Sequence, residues 1–305
     1  MIIGRLSGPP GSSIRDDRCR ACLAPRRPTH PRSFGAVRLT LESPEPPMLE
    51  IRPIPAFEDN YIWLLTETPG TAVVVDPGDA DPVLDLLHAE NRILTAILVT
   101  HHHGDHIGGL SELRSVFPEA RIYGPVDRRI RDLTDPAGEG ALMRPQGLSV
   151  DFRVMEVPGH TSTHIAYLGA GCLFCGDTLF AGGCGRVFDG TFEQLSDSLD
   201  RIAALPPETL VYCAHEYTLA NLGFADWVEP GSPALSARIQ SDRERRAMDL
   251  PTVPSRLELE LATNPFLRTR VPEVVHAAER AAGRPLGSAR EVFKALRQWK
   301  DDRYD

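Results

Sequence analysis

No run of the 305-residue chain approaches the ~18 consecutive apolar side chains of a membrane-spanning helix, so such a helix is excluded. The N-terminal stretch lacks the apolar centre of a secretory signal, because arginines break it. Basic side chains are in deficit, 33 against 42 acidic, and bulk nucleic-acid binding, which needs a phosphate-matching basic face, is excluded with them. Cysteine is sparse at six residues, which rules out a disulfide-rich miniprotein. Lysine is nearly missing, with Lys294 and Lys300 its only instances among 33 basic side chains. No internal repeat is visible. The rest is ordinary for a soluble globular protein: 42% hydrophobic and 25% charged residues rule out a disordered chain. At roughly 150 residues per domain the length suggests about two domains with a sizeable core.

The formal charge of −9 is unevenly spread. Residues 1–47 hold eight arginines, four acids and eight of the 27 prolines, a net of +4 with no sustained apolar period. Residues 48–305 carry 25 basic and 38 acidic side chains, a net of −13. Residues 1–47 therefore read as a disordered basic tail. Three origins compete: a start-site artefact with Met48 as the true start, an organelle transit peptide, and a basic arm for an acidic partner. Asp16 and Asp17 speak against the transit peptide, and the first origin is preferred. Cys19/Cys22 and Cys172/Cys175 both have C-x-x-C spacing. The second pair lies in an apolar strand-like segment and the first in the tail, so the pairs read as reduced thiols of a cytoplasmic protein, not as a four-cysteine zinc site.

From Met48 short β runs alternate with helical periods. Strands are expected at Leu49–Pro53, Tyr61–Glu67, Ala72–Asp76, Ile93–Thr100, Arg121–Gly124, Val150–Val157, His164–Leu168, Cys172–Cys175 and Leu210–Ala214. Asp81-Pro82 reads as an N-cap with proline at the first helical position, and Thr191 with Gln194 as a capping box. After Tyr217 the β signals stop. Helices follow at Leu219–Trp227, Ala234–Met248, Ser255–Leu261, Val274–Ala281 and Ser288–Trp299, the last with a Ser288/Glu291 capping box. The pattern predicts an α/β domain over residues 48–215 and a helical domain over 216–305.

The strongest chemical signal is Thr100-His101-His102-His103-Gly104-Asp105-His106, between an apolar strand and a helix starting near Ile107. In an extended turn His101 and His103 share a side, while Asp105 and His106 turn toward a second point. Neutral imidazoles with a carboxylate suit divalent first-row metals, and this mixture permits two adjacent sites. His160, Asp177 and His215 also fall at the ends of predicted strands, where a rigid sheet holds a ligand and the next loop admits substrate. Of the other histidines, His102 is expected to point away from the metals and His164 to be core or to support a ligand, while His30, His88 and His276 read as tail or surface residues.

The T-H-x-H-x-D-H run at Thr100–His106 resembles the metallo-β-lactamase superfamily. Asp76-Pro77-Gly78, Gly176-Asp177-Thr178-Leu179-Phe180, Gly183-Cys184-Gly185-Arg186, Ala214-His215-Glu216-Tyr217 and Thr263–Arg268 narrow the resemblance to the glyoxalase II (hydroxyacylglutathione hydrolase) family, over residues 48–305. The resemblance implies an αββα sandwich followed by an α-helical C-terminal domain that binds glutathione. It implies that His101, His103 and His160 bind one metal, that Asp105, His106 and His215 bind the other, and that Asp177 bridges both. Two divalent ions are expected, zinc first, with iron or manganese as alternatives.

The implied reaction is hydrolysis of S-D-lactoylglutathione and related S-2-hydroxyacylglutathiones to a 2-hydroxy acid and glutathione, by a metal-bridged hydroxide. Two metals sharing a water lower its pKa, and Asp105 is expected to orient it. The thiolate leaving group has a pKa of roughly 8.5 and needs little general acid. An anionic substrate meeting a chain of this charge requires local cations. The resemblance supplies Arg186, Arg297 and Lys300, with Tyr217 as a hydrogen-bond donor. Some members of the family have Tyr where this chain has Phe188, so one glutathione contact is absent or differently made. For Arg297 and Lys300 the competing reading is a solvated helix end. The competing function is a persulfide dioxygenase with one iron on the same fold. A cytoplasmic monomer with a small-molecule partner, no nucleic acid and no membrane, completes the expectation.

Overall fold

The computed structural model describes residues 48–67 and 69–304; the readings made for residues 1–47, Cys19 and Cys22 among them, lie outside the described residues. Period-two alternation on the second strand decides the layering. In β2 (Asn60–Thr66), Tyr61, Trp63 and Leu65 face one way and Ile62 and Leu64 the other, and all are buried. The first set joins Val73, Val75, Ala96 and Leu98 in a core shared with a second sheet. The other set packs, with Val74 and Ile97, against Val83, Leu87, Leu110 and Leu113 of covering helices.

The first sheet runs β1 (Glu50–Ala56), β2, β3 (Thr71–Val75), β4 (Ile93–Leu98), β5 (Arg121–Pro125), β6 (Asp135–Ala137) in spatial order. It is antiparallel through β3 and parallel after it. The crossovers carry α1 (Asp81–Ala89), α2 (Gly104–Ile107) and α3 (Leu110–Val116). The second sheet contains β7 (Leu142–Met143), β8 (Phe152–Glu156), β9 (Ile165–Gly169), β10 (Cys172–Gly176), β13 (Leu210–Cys213) and β14 (Ser255–Arg256). A separate hairpin, β11 (Leu179–Phe180) with β12 (Gly183–Cys184), follows β10. α4 (Phe192–Ala203) covers the second sheet through Leu195, Leu199 and Ile202, which completes the αββα sandwich. Fully buried side chains such as Leu65, Phe152, Leu173 and Phe174 each contribute about 1.5–3 kcal/mol.

The sheets are also tied by hydrogen bonds. Trp63 Nε1 donates to Cys213 O at 2.9 Å, and the Tyr167 hydroxyl to Val99 O at 2.8 Å. At the end that carries the histidine loop Tyr61 N donates to Ala214 O at 2.7 Å and Ile165 N to Thr100 O at 3.0 Å. The turn before β2 and the loops after β3, β4, β8, β10 and β13 thereby converge.

The helical segment comprises α5 (Thr218–Val228), α6 (Pro233–Ala247), α7 (Leu257–Thr263), α8 (Pro272–Ala282) and α9 (Ala289–Arg303). Phe224, Phe266, Phe293 and Leu296 bury it in the same core as the second sheet.

Several local expectations need correction. The β signals do not stop at Tyr217: Ser255–Arg256 adds an edge strand to β13, and the helix begins at Leu257. Asp81 is not a cap, since Ala80 holds that position and the Asp81 N–H bonds the Asp79 carboxylate at 3.1 Å. The helix near Ile107 starts earlier, at Gly104, and breaks before Leu110. Thr191 and Gln194 do form the capping box. Ser288 accepts from Glu291 N, but the Glu291 carboxylate takes the Gly287 N–H at 2.7 Å, so that box is only half formed.

Candidate metal centre and substrate cavity

Asp76 sits just past β3, and Thr100 and His101 just past β4. Asp76 adopts a left-handed backbone (φ 52°) and accepts from Thr100 N and Oγ1, both at 2.7 Å. That pair of bonds fixes the start of the histidine loop. The Thr100 hydroxyl lies 3.0 Å from His101 Nδ1, so His101 Nε2 faces the centre. There His101 Nε2 and His160 Nε2 each lie 3.0 Å from His103 Nδ1, and Asp177 Oδ2 lies 3.5 Å from His160 Nε2. Past the turn, α2 places Asp105 and His106 on the other side. His106 Nε2 and His215 Nε2 each lie 3.4 Å from both Asp105 Oδ2 and Asp177 Oδ1. The seven residues expected from the sequence therefore form two donor groups, with the two oxygens of Asp177 turned toward different groups.

These separations fit metal ligation. A metal–ligand bond of about 2.0–2.1 Å gives ligand–ligand edges of about 2.9 Å at right angles and about 3.3 Å at the tetrahedral angle. His106 Nε2 and Asp177 Oδ1 are buried without a hydrogen-bond partner, a costly state unless an ion is their partner, while His106 Nδ1 faces Asp76 Oδ2 at 3.1 Å. The donor set is that of a divalent-metal centre.

Electrostatics differ across the centre. Burial pushes His101 and His160 down, and lowers His103 to about 4, so these imidazoles are neutral. Burial opposes charge on His106 and His215 as well, but Asp177 with Asp76 raises His106, and Asp177 with Asp105 raises His215 to about 10. Burial pushes Asp177 upward, yet His106 and His215 hold it well below the carboxylate range. A cation in the second group therefore displaces protons that the carboxylates otherwise hold on His106 and His215.

Several supporting residues carry no sequence signal of their own. Asp59 Oδ1 lies 2.8 Å from His215 Nδ1 and fixes that ring, although 156 residues separate them. Asn60 Nδ2 donates to Asp105 Oδ2 at 3.1 Å. The Asp59-Asn60 turn ahead of an apolar strand is the only local hint. Asp127, held by Arg129 and Thr163, lies 3.6 Å from His102 Nδ1, and that ring belongs to neither donor group, as expected. His164 is buried, and its Nε2 accepts the Asp177 N–H at 3.2 Å. His88 and His276 are exposed. Cys172, Cys175, Cys184 and Cys213 are free and buried.

A cavity of about 500 Å³ opens over the centre. His103, Asp105, His160, Asp177 and His215 line its floor, while His101 and His106 lie beneath. Arg186, Phe188, Tyr217, Arg297 and Lys300 all line its walls. Tyr217 stacks on His215 at 4.7 Å, and Phe188 stands edge-on to His103 at 4.9 Å and His160 at 5.1 Å. The solvated-helix-end reading of Arg297 and Lys300 fails, because they are 1% and 6% exposed. Arg297 Nη1 donates to Cys184 O at 3.0 Å and its Nη2 to Asp301 at 2.8 Å.

A sandwich with this histidine and aspartate cluster at its strand ends defines the metallo-β-lactamase superfamily, whose sequence pattern matches residues 57–215. The pattern of the hydroxyacylglutathione hydrolase C-terminus matches residues 216–303. The chain is 50% identical over 249 residues to a hydroxyacylglutathione hydrolase of Xanthomonas axonopodis pv. citri, covering 82% of this chain and 97% of that one. It is 52% identical over 255 residues to a hydroxyacylglutathione hydrolase of Alkalilimnicola ehrlichii, covering 83% and 99%. The chain belongs to the hydroxyacylglutathione hydrolase family. Among solved structures, ETHE1 from Myxococcus xanthus is 25% identical with a TM-score of 0.57, over 84% of this chain and 93% of that one. The BLEG-1 B3 metallo-β-lactamase, 22% identical with a TM-score of 0.53 over 72% and 99%, shares the fold.

Proposed function

We propose that this protein hydrolyses S-D-lactoylglutathione and related S-2-hydroxyacylglutathiones to the 2-hydroxy acid and glutathione. The observation that carries the reading is one cavity with two donor groups joined by Asp177 on its floor and Arg186, Arg297 and Lys300 on its walls. His101, His103, His160 and Asp177 would hold one divalent ion, and Asp105, His106, His215 and Asp177 a second, with zinc the first choice and iron or manganese alternatives. Bound there, such ions supply Lewis-acid polarisation of the thioester carbonyl and acidify a water.

The chain's own groups do the rest. Asp105, fixed by Asn60, orients the attacking water, and Asp177 holds both donor groups in register. Water adds to the carbonyl carbon, the C–S bond breaks and glutathione leaves as a thiolate, so no protein acid is required. The cationic walls offset the repulsion between an acidic protein and an anionic substrate. Tyr217 donates to the peptide portion, and Phe188 offers that portion an apolar wall. On this reading residues 48–215 are the catalyst and 216–305 the glutathione-binding part. The free, buried cysteines support a reducing compartment such as the cytoplasm, where a monomer acts on a soluble thioester.

The persulfide dioxygenase alternative, with one iron, leaves the Asp105/His106/His215 group without work. The test is a steady-state assay with S-D-lactoylglutathione combined with metal analysis of the purified protein. Thioester hydrolysis with about two ions per chain is expected. Oxygen consumption with glutathione persulfide, in the absence of hydrolysis, would replace this reading with the alternative.

A further inference from the structure

The hairpin β11–β12 directly follows Asp177 and pairs with no other strand among the described residues. A lone two-stranded hairpin is marginally stable in water. Its backbone is instead held by side chains of the helical segment. Asn264 Nδ2 donates to Phe180 O at 3.2 Å and to Gly183 O at 2.9 Å. Asn221 Nδ2 donates to Ala181 O at 3.1 Å, Gly182 N donates to Glu260 Oε2 at 2.8 Å, and Arg297 Nη1 donates to Cys184 O at 3.0 Å. Every residue from 180 to 184 thus has a backbone group bound by a side chain from residues 216–304.

Glu260 is the node of this set. It is fully buried on α7. One carboxylate oxygen accepts from Arg238 Nη2 at 2.6 Å and from the Ser255 hydroxyl, and the other from Gly182 N and from Asn264 Nδ2 at 3.1 Å. Arg238, itself buried on α6, donates onward to Thr263 Oγ1 at 2.6 Å and lies 3.3 Å from Asp242. A buried carboxylate is tolerated only when paired and fully hydrogen-bonded, and this one has a cation and three further donors. It binds the hairpin directly at Gly182 and orients the Asn264 amide that grips the hairpin at two more points.

We propose that Glu260 is the positioning residue of the substrate cavity. It fixes the hairpin that presents Phe180 and Cys184 to the cavity and leads into Arg186, and so sets affinity for the glutathione portion of the substrate. The metal donors come from other strand ends and from Asp177, whose N–H is held by His164, and Arg186 O, which holds His160 Nδ1, lies beyond the residues that Glu260 and Asn264 grip, so the metal centre is expected to keep its ions when Glu260 is changed. This inference rests on the thioester-hydrolase reading above.

The test compares metal-loaded full-length wild type with Glu260→Gln on two substrates, S-D-lactoylglutathione and the lactoyl thioester of N-acetylcysteamine, which lacks the tripeptide. The expected result is a KM for the glutathione thioester raised about tenfold, as for loss of a charge-assisted hydrogen bond. Metal content and kcat/KM for the short thioester stay at the wild-type level. An equal loss on both thioesters, or an unchanged KM on the first, overturns the proposal. Hydrogen exchange of residues 178–186 gives a readout that needs no substrate: lost protection there, with the two main sheets unchanged, is expected, and retained protection overturns the proposal. If wild type hydrolyses neither thioester, the functional reading fails while hydrogen exchange still decides the role of Glu260 in the hairpin. Should Glu260→Gln not fold, Asn264→Ala, which cuts two hairpin bonds, carries the same expectations.

Discussion

His160 Nδ1 lies 2.8 Å from the backbone oxygen of Arg186 and donates its proton there. The bond leaves Nε2 as the face turned to the metal centre, and Phe188 N returns a bond to His160 O at 3.0 Å. The His160 imidazole and the loop bearing the cavity-lining Arg186 therefore hold each other in place. On the proposed reading, the grip on substrate and the grip on metal share this joint.

Gly185 packs into that joint. A Cβ there would lie 2.0 Å from Asp177 O and 3.0 Å from His160 Nδ1. Gly185→Ala is expected to displace both donors, to lower bound metal, and to destabilise the fold by about 1–3 kcal/mol, the usual range for overpacking. Elemental analysis and thermal unfolding check this, and a variant with full metal content would show that the loop relaxes freely.

Asp59 governs the second donor group by orienting His215. Asp59→Ala is expected to weaken metal affinity there by about 10–100-fold. The His101/His103/His160 group, which Asp59 does not touch, should keep its ion. Competition with a chelator, read as metal retained per chain, should show one ion lost well before the other. Loss of both together would refute the separation of the groups.

Lys300 is proposed as a substrate contact beside Arg297 on the cavity wall. Arg297 also holds Cys184 O, so Arg297→Ala removes a hairpin contact as well as a cation. Lys300→Ala is expected to raise KM for the glutathione thioester about tenfold with kcat nearly unchanged, the pattern of a contact equal in ground and transition states. An unaltered KM would leave Lys300 without a substrate contact.

Stability should respond to acid through Asp127. Hydrogen bonds from Arg129 hold its carboxyl well below the usual carboxylate range; burial opposes them and Thr163 adds to them. A depressed folded value contributes stability that is fully present above the unfolded pKa, about 3.9, and is lost as pH falls through the folded value. The difference in unfolding free energy between wild type and Asp127→Asn is therefore expected to be constant from about pH 7 to about pH 5 and to shrink below about pH 4. A difference that persists unchanged at lower pH would show that the charge contributes nothing.

Much of this is legible in the sequence. Nine β runs were placed within a few residues of their strands, because alternating burial writes itself into the sequence as period-two apolarity. The short strands β6, β7, β11, β12 and β14 were not, since two or three residues carry no period and their pairing depends on distant partners. The seven donors were readable because a polar residue ending an apolar strand is a local feature. Asp59 and Asn60 were not, because their value lies in facing His215 and Asp105 across the molecule.

By itself the sequence determined the chemistry on offer: which side chains could bind metal, the absence of a long apolar run, and a scarcity of lysine that singled out Lys300. It also exposed the uneven charge, +4 in residues 1–47 against −13 in the rest. Only the tertiary structure decided that Arg297 and Lys300 are buried in the cavity wall instead of solvated at a helix end. It alone joined His160 to Arg186, and Glu260 to Gly182 across 78 residues. Composition and periodicity are properties of neighbours along the chain. A hydrogen bond between strangers in sequence exists only once the core has brought their backbones together.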